Sequence, residues 1–130
     1  MKSEAIRLSL CLSVKALYKM TKTKKRYACN PIVENGHASE LFRFFNCYVV
    51  HGDRSTLKYV KKVLKIFANC SEVASLCKGL LDMDLVSQLI SVANRVLADD
   101  KIASGNYGIR SEDILEPILK TFEQLNHEWL

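Results

Sequence analysis

Apolar residues recur at helical spacing along nearly the whole chain, and the strict alternation that a half-buried strand needs is scarce. A chain patterned this way buries its apolar groups on helix stripes, so the expectation is an all-α fold with almost no sheet. Residues 4–20 place Ala5, Leu8, Leu12, Ala16, Leu17 and Met20 on one amphipathic helix, with Ser3 as N-cap and Glu4 in the first turn. Residues 39–50 are apolar almost all round, through Leu41, Phe42, Phe44, Phe45, Tyr48 and Val49, which fits a helix buried on most of its surface. Residues 55–69 set Leu57, Val60, Leu64 and Phe67 on one stripe, Val63 and Ile66 beside it, and Lys58, Lys61, Lys62 and Lys65 outside. Residues 84–97 carry Leu85, Leu89, Val92 and Val96 on a further apolar helix.

The breaks follow from turn chemistry. The cationic run Lys22, Lys24, Lys25 and Arg26 interrupts the first apolar pattern, and a short helical segment follows as far as Asn35-Gly36. His51-Gly52-Asp53 ends the second long helix. Ser71 can cap a short helix to Lys78, which Gly79 breaks. Asp99-Asp100 closes the helix before it, and Ser104-Gly105-Asn106-Tyr107-Gly108 reads as a loop. Ser111-Glu112-Asp113 opens the last helical region, within which Pro117 should begin or kink a helix because its ring excludes the usual backbone bond. Only seven of 130 residues are Gly or Pro. Together with 48% hydrophobic residues, that suits a single folded domain over residues 1–130.

Several function classes are set aside by the same reading. No apolar run approaches the roughly 18 to 20 residues of a membrane span, and Arg7 and Lys15 interrupt the N-terminal stretch, so neither a membrane segment nor secretion is expected. The five cysteines, Cys11, Cys29, Cys47, Cys70 and Cys77, lie among apolar residues at no metal spacing. They read as reduced core residues of an intracellular protein, cytoplasmic or nuclear. His37, His51 and His127 stand apart from any catalytic or metal-ligating set, and no glycine-rich phosphate loop occurs. His51 follows Cys47 by one helical turn, a pairing read as structural. The expectation is therefore no enzyme, no metal and no cofactor. The aromatic stripe of Phe42, Phe45 and Tyr48 is read as core, not as a ligand pocket.

Gly36 and Gly79 fall 43 residues apart, each after a short helix and before a long apolar one. That spacing lies within the period of about 40 to 47 residues of helical repeat units. Pro31-Ile32-Val33-Glu34-Asn35-Gly36, followed by Leu41-Phe42-Arg43-Phe44-Phe45, resembles the junction between first and second helices of an armadillo repeat. Ile66-Phe67-Ala68-Asn69-Cys70 is similar to the end of that family's third helix, and Ala16-Leu17-Tyr18-Lys19-Met20 and Thr121-Phe122-Glu123-Gln124-Leu125 take the matching place. The chain thus resembles about two and a half armadillo-type (armadillo or HEAT-like) repeats: a lone third helix at 3–20, a repeat at 22–70 and a second at 71–126. The implied architecture is a short right-handed superhelix, an α-solenoid. The segment near 99–110 stretches the last repeat beyond the usual length.

In that family the third helices line a concave groove, where an asparagine ladder holds an extended peptide. By resemblance the ladder reads Lys19, Asn69 and Gln124. One turn earlier, where the family often has tryptophan, stand Lys15, Lys65 and Lys120. With Lys62 they make Lys15, Lys19, Lys62, Lys65, Asn69, Lys120 and Gln124 the candidate partner-binding residues. Lysines in place of tryptophans imply a scaffold for an acidic peptide or an acidic protein surface. The lysines are equally well read as a solvated helix face, and Asn69 as a helix end satisfying loose carbonyls.

Charge is unevenly spread. Residues 1–30 carry eight basic groups against one acid, and residues 71–130 carry five against ten. Such polarity points to an acidic partner for one region. The cluster Lys22, Lys24, Lys25 and Arg26 reads as a solvated loop between repeats, as a nuclear-import signal or as a phosphate contact. Nucleic acid is a second partner class if this cluster shares a surface with Lys58, Lys61 and Lys62. Leu8, Leu12 and Leu17 at one end, with Trp129 and Leu130 at the other, are expected to leave apolar surface uncovered, which suits self-association or a fragment of a longer repeat protein.

Overall fold

The structure, a computed structural model, describes the backbone of residues 2–52 and 54–129 and the side chains of residues 13–52 and 54–127. The expectations placed on the side chains of Ser3, Leu8, Cys11, Leu12 and Trp129, and on Asp53 and Leu130, lie outside the described residues. The fold is all-α, with no strand among the described residues. In chain order the helices are α1 (Lys2–Thr23), α2 (Lys25–Glu34), α3 (Ala38–His51), α4 (Arg54–Ser71), a 3-10 turn (Ala74–Leu76), α5 (Cys77–Asp82), α6 (Leu85–Leu97), α7 (Asp100–Ala103) and α8 (Ser111–Trp129). Among the described residues, no helix is long and apolar enough to cross a membrane.

α4 is the hub. It packs against both α1 and α8, and also against α2, α3 and α5. Ten of its 18 residues are buried, including Val63 and Ile66, which lie beside the main stripe. A helix flanked by several others needs apolar groups over more than one stripe, and each fully buried aliphatic or aromatic side chain contributes about 1.5–3 kcal/mol. Phe67 on α4 forms a triangle of rings with Phe42 and Phe45 of α3, its centroid 5.5 Å from that of Phe42 and 5.9 Å from that of Phe45, which are themselves 6.0 Å apart.

Three local expectations are corrected. The cationic run is not a loop: Lys22 lies in the last turn of α1, while Lys25 and Arg26 open α2, so only Lys24 sits at the bend. Ser71 does not cap the next helix; it closes α4, its hydroxyl donating to the Ala68 carbonyl at 2.7 Å. Gly79 does not break a helix but lies inside α5. A Cβ there would stand 2.5 Å from Val33 Cγ1, so glycine serves the close approach of α5 to α2. The stop belongs to Asp84, whose φ of 66° is left-handed, a conformation that Asp tolerates better than most residues. Gly36, with φ of 74°, does form the turn before α3. The two glycines that set the 43-residue spacing therefore play different parts.

Pro117 lies well inside α8, not at its start. Its ring removes the donor to the Asp113 carbonyl, and Thr121 Oγ1 donates to the Pro117 carbonyl at 2.8 Å. The segment after α6 is also tied down. Tyr48 donates its hydroxyl to Asp99 at 2.8 Å, Asp99 caps α7 by accepting from the Lys101 N–H at 3.0 Å, and the Tyr107 hydroxyl donates to the Gly52 carbonyl at 3.0 Å. Burial, then the bond to Asp99, pushes the Tyr48 phenol well above its ordinary range, so it stays a donor.

Candidate functional site

α1, α4 and α8 border a cleft of about 370 Å³. α4 contributes Lys61, Lys65 and Asn69, four residues apart and so on one helix face, with Ala68 at the floor. α1 contributes Tyr18 and Lys22 from one turn, and α8 contributes Asp113, Glu116, Pro117 and Lys120. The packing of α4 against both neighbours brings residues 18, 69 and 117 together from distant parts of the chain.

The α1 and α4 side of this region is strongly cationic. The Lys65 ammonium lies 5.8 Å from the Tyr18 ring centroid, a cation–π distance that orients it across the α1–α4 seam. Lys62, half-buried on α4, has its pKa lowered, first by desolvation and then by the ammonium groups of Lys15, Lys58, Lys61 and Lys65. Those four ammonium groups therefore act on Lys62, and none of the five lysines is in an ion pair among the described residues. Lys58, Lys61, Lys62 and Lys65 stand at i, i+3, i+4 and i+7, the spacing of one helix face. The α8 side has the opposite sign. There Asp113 has its carboxyl held below the ordinary range, first by a hydrogen bond from Arg110, with Lys61 adding to the effect.

The three lysines of shared register have three different surroundings. Lys15 is exposed on α1, Lys65 lies over Tyr18, and Lys120 is bound to Glu72, its ammonium 2.7 Å from Glu72 Oε1. Glu72 also pairs with Lys25, so one carboxylate joins α2 and α8 just beyond the end of α4. The Lys120 bond first, and the Lys25 bond second, hold the Glu72 carboxyl below its usual range. Lys25 and Lys120 thus share one carboxylate, and the register that links Lys120 to Lys15 and Lys65 does not extend to their ion pairing.

Asn69 has a role that neither sequence reading contained. Its Nδ2 donates to Thr21 Oγ1 at 3.1 Å, and Thr21, fully buried, donates to the Tyr18 carbonyl at 2.9 Å. One amide N–H is committed to holding α4 on α1, and the residue also lines the cleft. Gln124 lies elsewhere, in a shallow groove along α8 with Leu115, Leu119 and Glu123, and Lys19 is exposed on α1 outside the cleft lining. Of the cationic run only Lys22 joins Lys61 and Lys65 at the cleft; Lys24 and Arg26 are exposed.

Comparison of the chain with protein-family models, with curated proteins and with solved structures gives no match. The reading of the site therefore rests on its geometry. Among the described residues no group of three or more His, Cys, Asp or Glu side chains could hold a metal ion. Cys29, Cys70 and Cys77 are buried and Cys47 is half-buried, its Sγ 3.7 Å from Thr56 Oγ1. The bond from Cys70 to Cys29, with burial, pushes the Cys70 thiol far up, so it stays protonated.

Sequence reasoning missed Tyr18, Glu72, Asp113 and Glu116. Nothing in spacing marks Glu72, because its partners lie on two helices distant in sequence. Lys58 and Lys61 were named from the sequence only for a nucleic-acid surface, although the face they share with Lys62 and Lys65 is plain there.

Proposed function

We propose that this chain is a non-enzymatic interaction module that binds an acidic segment of a partner protein across the exposed face of α1 and α4. The observation that carries the reading is the face on which Lys58, Lys61, Lys62 and Lys65 stand at helical spacing on α4, with Lys15 of α1 close enough to act on Lys62, whose pKa is lowered first by burial and then by the other four ammonium groups. An anionic ligand laid along it relieves the repulsion at Lys62 and draws on attraction at several positions at once. Tyr18 offers a flat apolar surface between the cations, and Asn69 an amide able to bond a peptide backbone. A short armadillo-like stack is the architecture proposed for this face. Its support is the packing of α4 against both α1 and α8, with α2–α3 and α5–α6 as the intervening helix pairs.

Fluorescence anisotropy with a labelled polyglutamate peptide tests the proposal. Lys15→Glu/Lys62→Glu/Lys65→Glu should weaken binding about tenfold or more while circular dichroism stays unchanged. Equal affinity for wild type and variant overturns it. Tighter binding of a single-stranded oligonucleotide, with a steep loss of affinity on adding salt and sensitivity to Lys22→Glu, replaces it with the nucleic-acid reading.

A further inference from the structure

The cleft bordered by α1, α4 and α8 has walls of opposite sign. On the α1 and α4 side its lining carries the ammonium groups of Lys22, Lys61 and Lys65, and on the α8 side the carboxylates of Asp113 and Glu116. Lys120, also on the α8 side, is already held by Glu72 at 2.7 Å. Among the described residues no ion pair joins Lys22, Lys61 or Lys65 to Asp113 or Glu116. Lys61 is nonetheless near enough to help hold the Asp113 carboxyl below its ordinary range, after the bonds from Arg110. The two walls thus feel each other without meeting, and a space of about 370 Å³ separates them.

The two carboxylates are unequally committed. Asp113 accepts from Arg110 at 3.3 Å, but the Arg110 side chain is 74% exposed, so that pair contributes little. Glu116 is exposed and pairs with no base among the described residues. Pro117, which lines the cleft, deprives the Asp113 carbonyl of its helical donor, so a main-chain acceptor adds to the negative side. At the floor stands Ala68, buried and small enough for an extended backbone to lie close to α4.

A ligand that is acidic throughout answers the lysine wall but sets its remaining acids against Asp113 and Glu116, where like charges repel. A ligand of mixed sign answers both walls. We infer that the acidic segment bound on α1 and α4 also carries a basic residue, lysine or arginine, which crosses α4 and seats against Asp113 and Glu116. This inference rests on the acidic-partner reading and adds to it the order of charges in the partner. Packed helix axes lie about 8–10 Å apart and an extended chain advances about 3.3–3.6 Å per residue, so the base stands about three positions from its nearest acid, in either chain direction.

Fluorescence anisotropy with two labelled, end-blocked peptides tests it. One has four glutamates, two glycines and an arginine, the other a glutamine in place of the arginine, and each is also made in reverse order. On the wild type the arginine peptide should bind about threefold or more tighter in at least one of the two orders. The lysine face acting alone gives the opposite ranking, because arginine lowers the peptide's net negative charge. Glu116→Lys should invert the wild-type preference; Glu116 is exposed, so the circular dichroism spectrum should not change. If the glutamine peptide binds the wild type as tightly or more tightly in both orders, or if the arginine preference survives in Glu116→Lys, the inference is overturned and the acidic-partner reading stands. Binding of neither peptide overturns both.

Discussion

Glu72 holds two ammonium groups at once, Lys25 from α2 and Lys120 from α8, and its side chain is 25% exposed. Both bonds favour the charged carboxylate and depress its pKa below the ordinary value of 4.5. A depressed carboxyl contributes stability that is present above its unfolded value and lost as pH falls through the folded one. Glu72→Gln should therefore cost about 1 kcal/mol at neutral pH, discounted for partial exposure. The gap between wild type and variant should close below about pH 4.5, as read by denaturant unfolding at neutral pH and in acid. A gap that stays constant across that window would remove the carboxylate from this role. Asn69 shows how much of a side chain's part is invisible in one dimension. An asparagine near a helix end was legible, but Thr21, to which it donates, lies 48 positions away.

At the scale of elements, α5 is the instructive case. Glycine inside an exposed helix costs up to about 1 kcal/mol relative to alanine, so Gly79→Ala would ordinarily stabilise α5. Here the new Cβ meets Val33 Cγ1 at 2.5 Å, and valine is stiff at χ1. Overpacking costs about 1–3 kcal/mol, which outweighs the propensity gain, so Gly79→Ala should lower stability by about 1 kcal/mol. In a Val33→Ala background the same substitution should be neutral or stabilising. A double-mutant cycle measured by urea unfolding gives the sign, and additivity of the two changes would refute close packing of α5 on α2. The sequence marks Gly79 as unusual but does not say whether the reason is a turn or a neighbour, because both need the same missing Cβ. Asp84, which carries the turn, gives a weaker signal, being one acid among several.

For the molecule as a whole, α4 is the element through which the rest cohere. Phe67→Ala removes a fully buried ring packed against both Phe42 and Phe45 and should cost about 3–5 kcal/mol. Set against a typical total of about 5–15 kcal/mol, that loss should shift one cooperative transition, seen alike by circular dichroism and tyrosine fluorescence. Separate transitions for the halves before and after α4 would show that it is not the common core. The positions of α1, α3, α4, α6 and α8 were legible because burial imposes a 3.6-residue period that neighbouring residues report jointly. The candidate site was legible only in part. Lysines at helical spacing name a face, but spacing does not say which of them meets a carboxylate from another helix. The sequence by itself determined helix type and the burial stripes, since these depend on residues three and four apart. The tertiary structure alone decided that Lys120 and Lys25 share the Glu72 carboxylate, that Lys62 sits amid like charges, and that Asn69 joins two helices. Those outcomes depend on distances between groups far apart in the chain, which only packing sets.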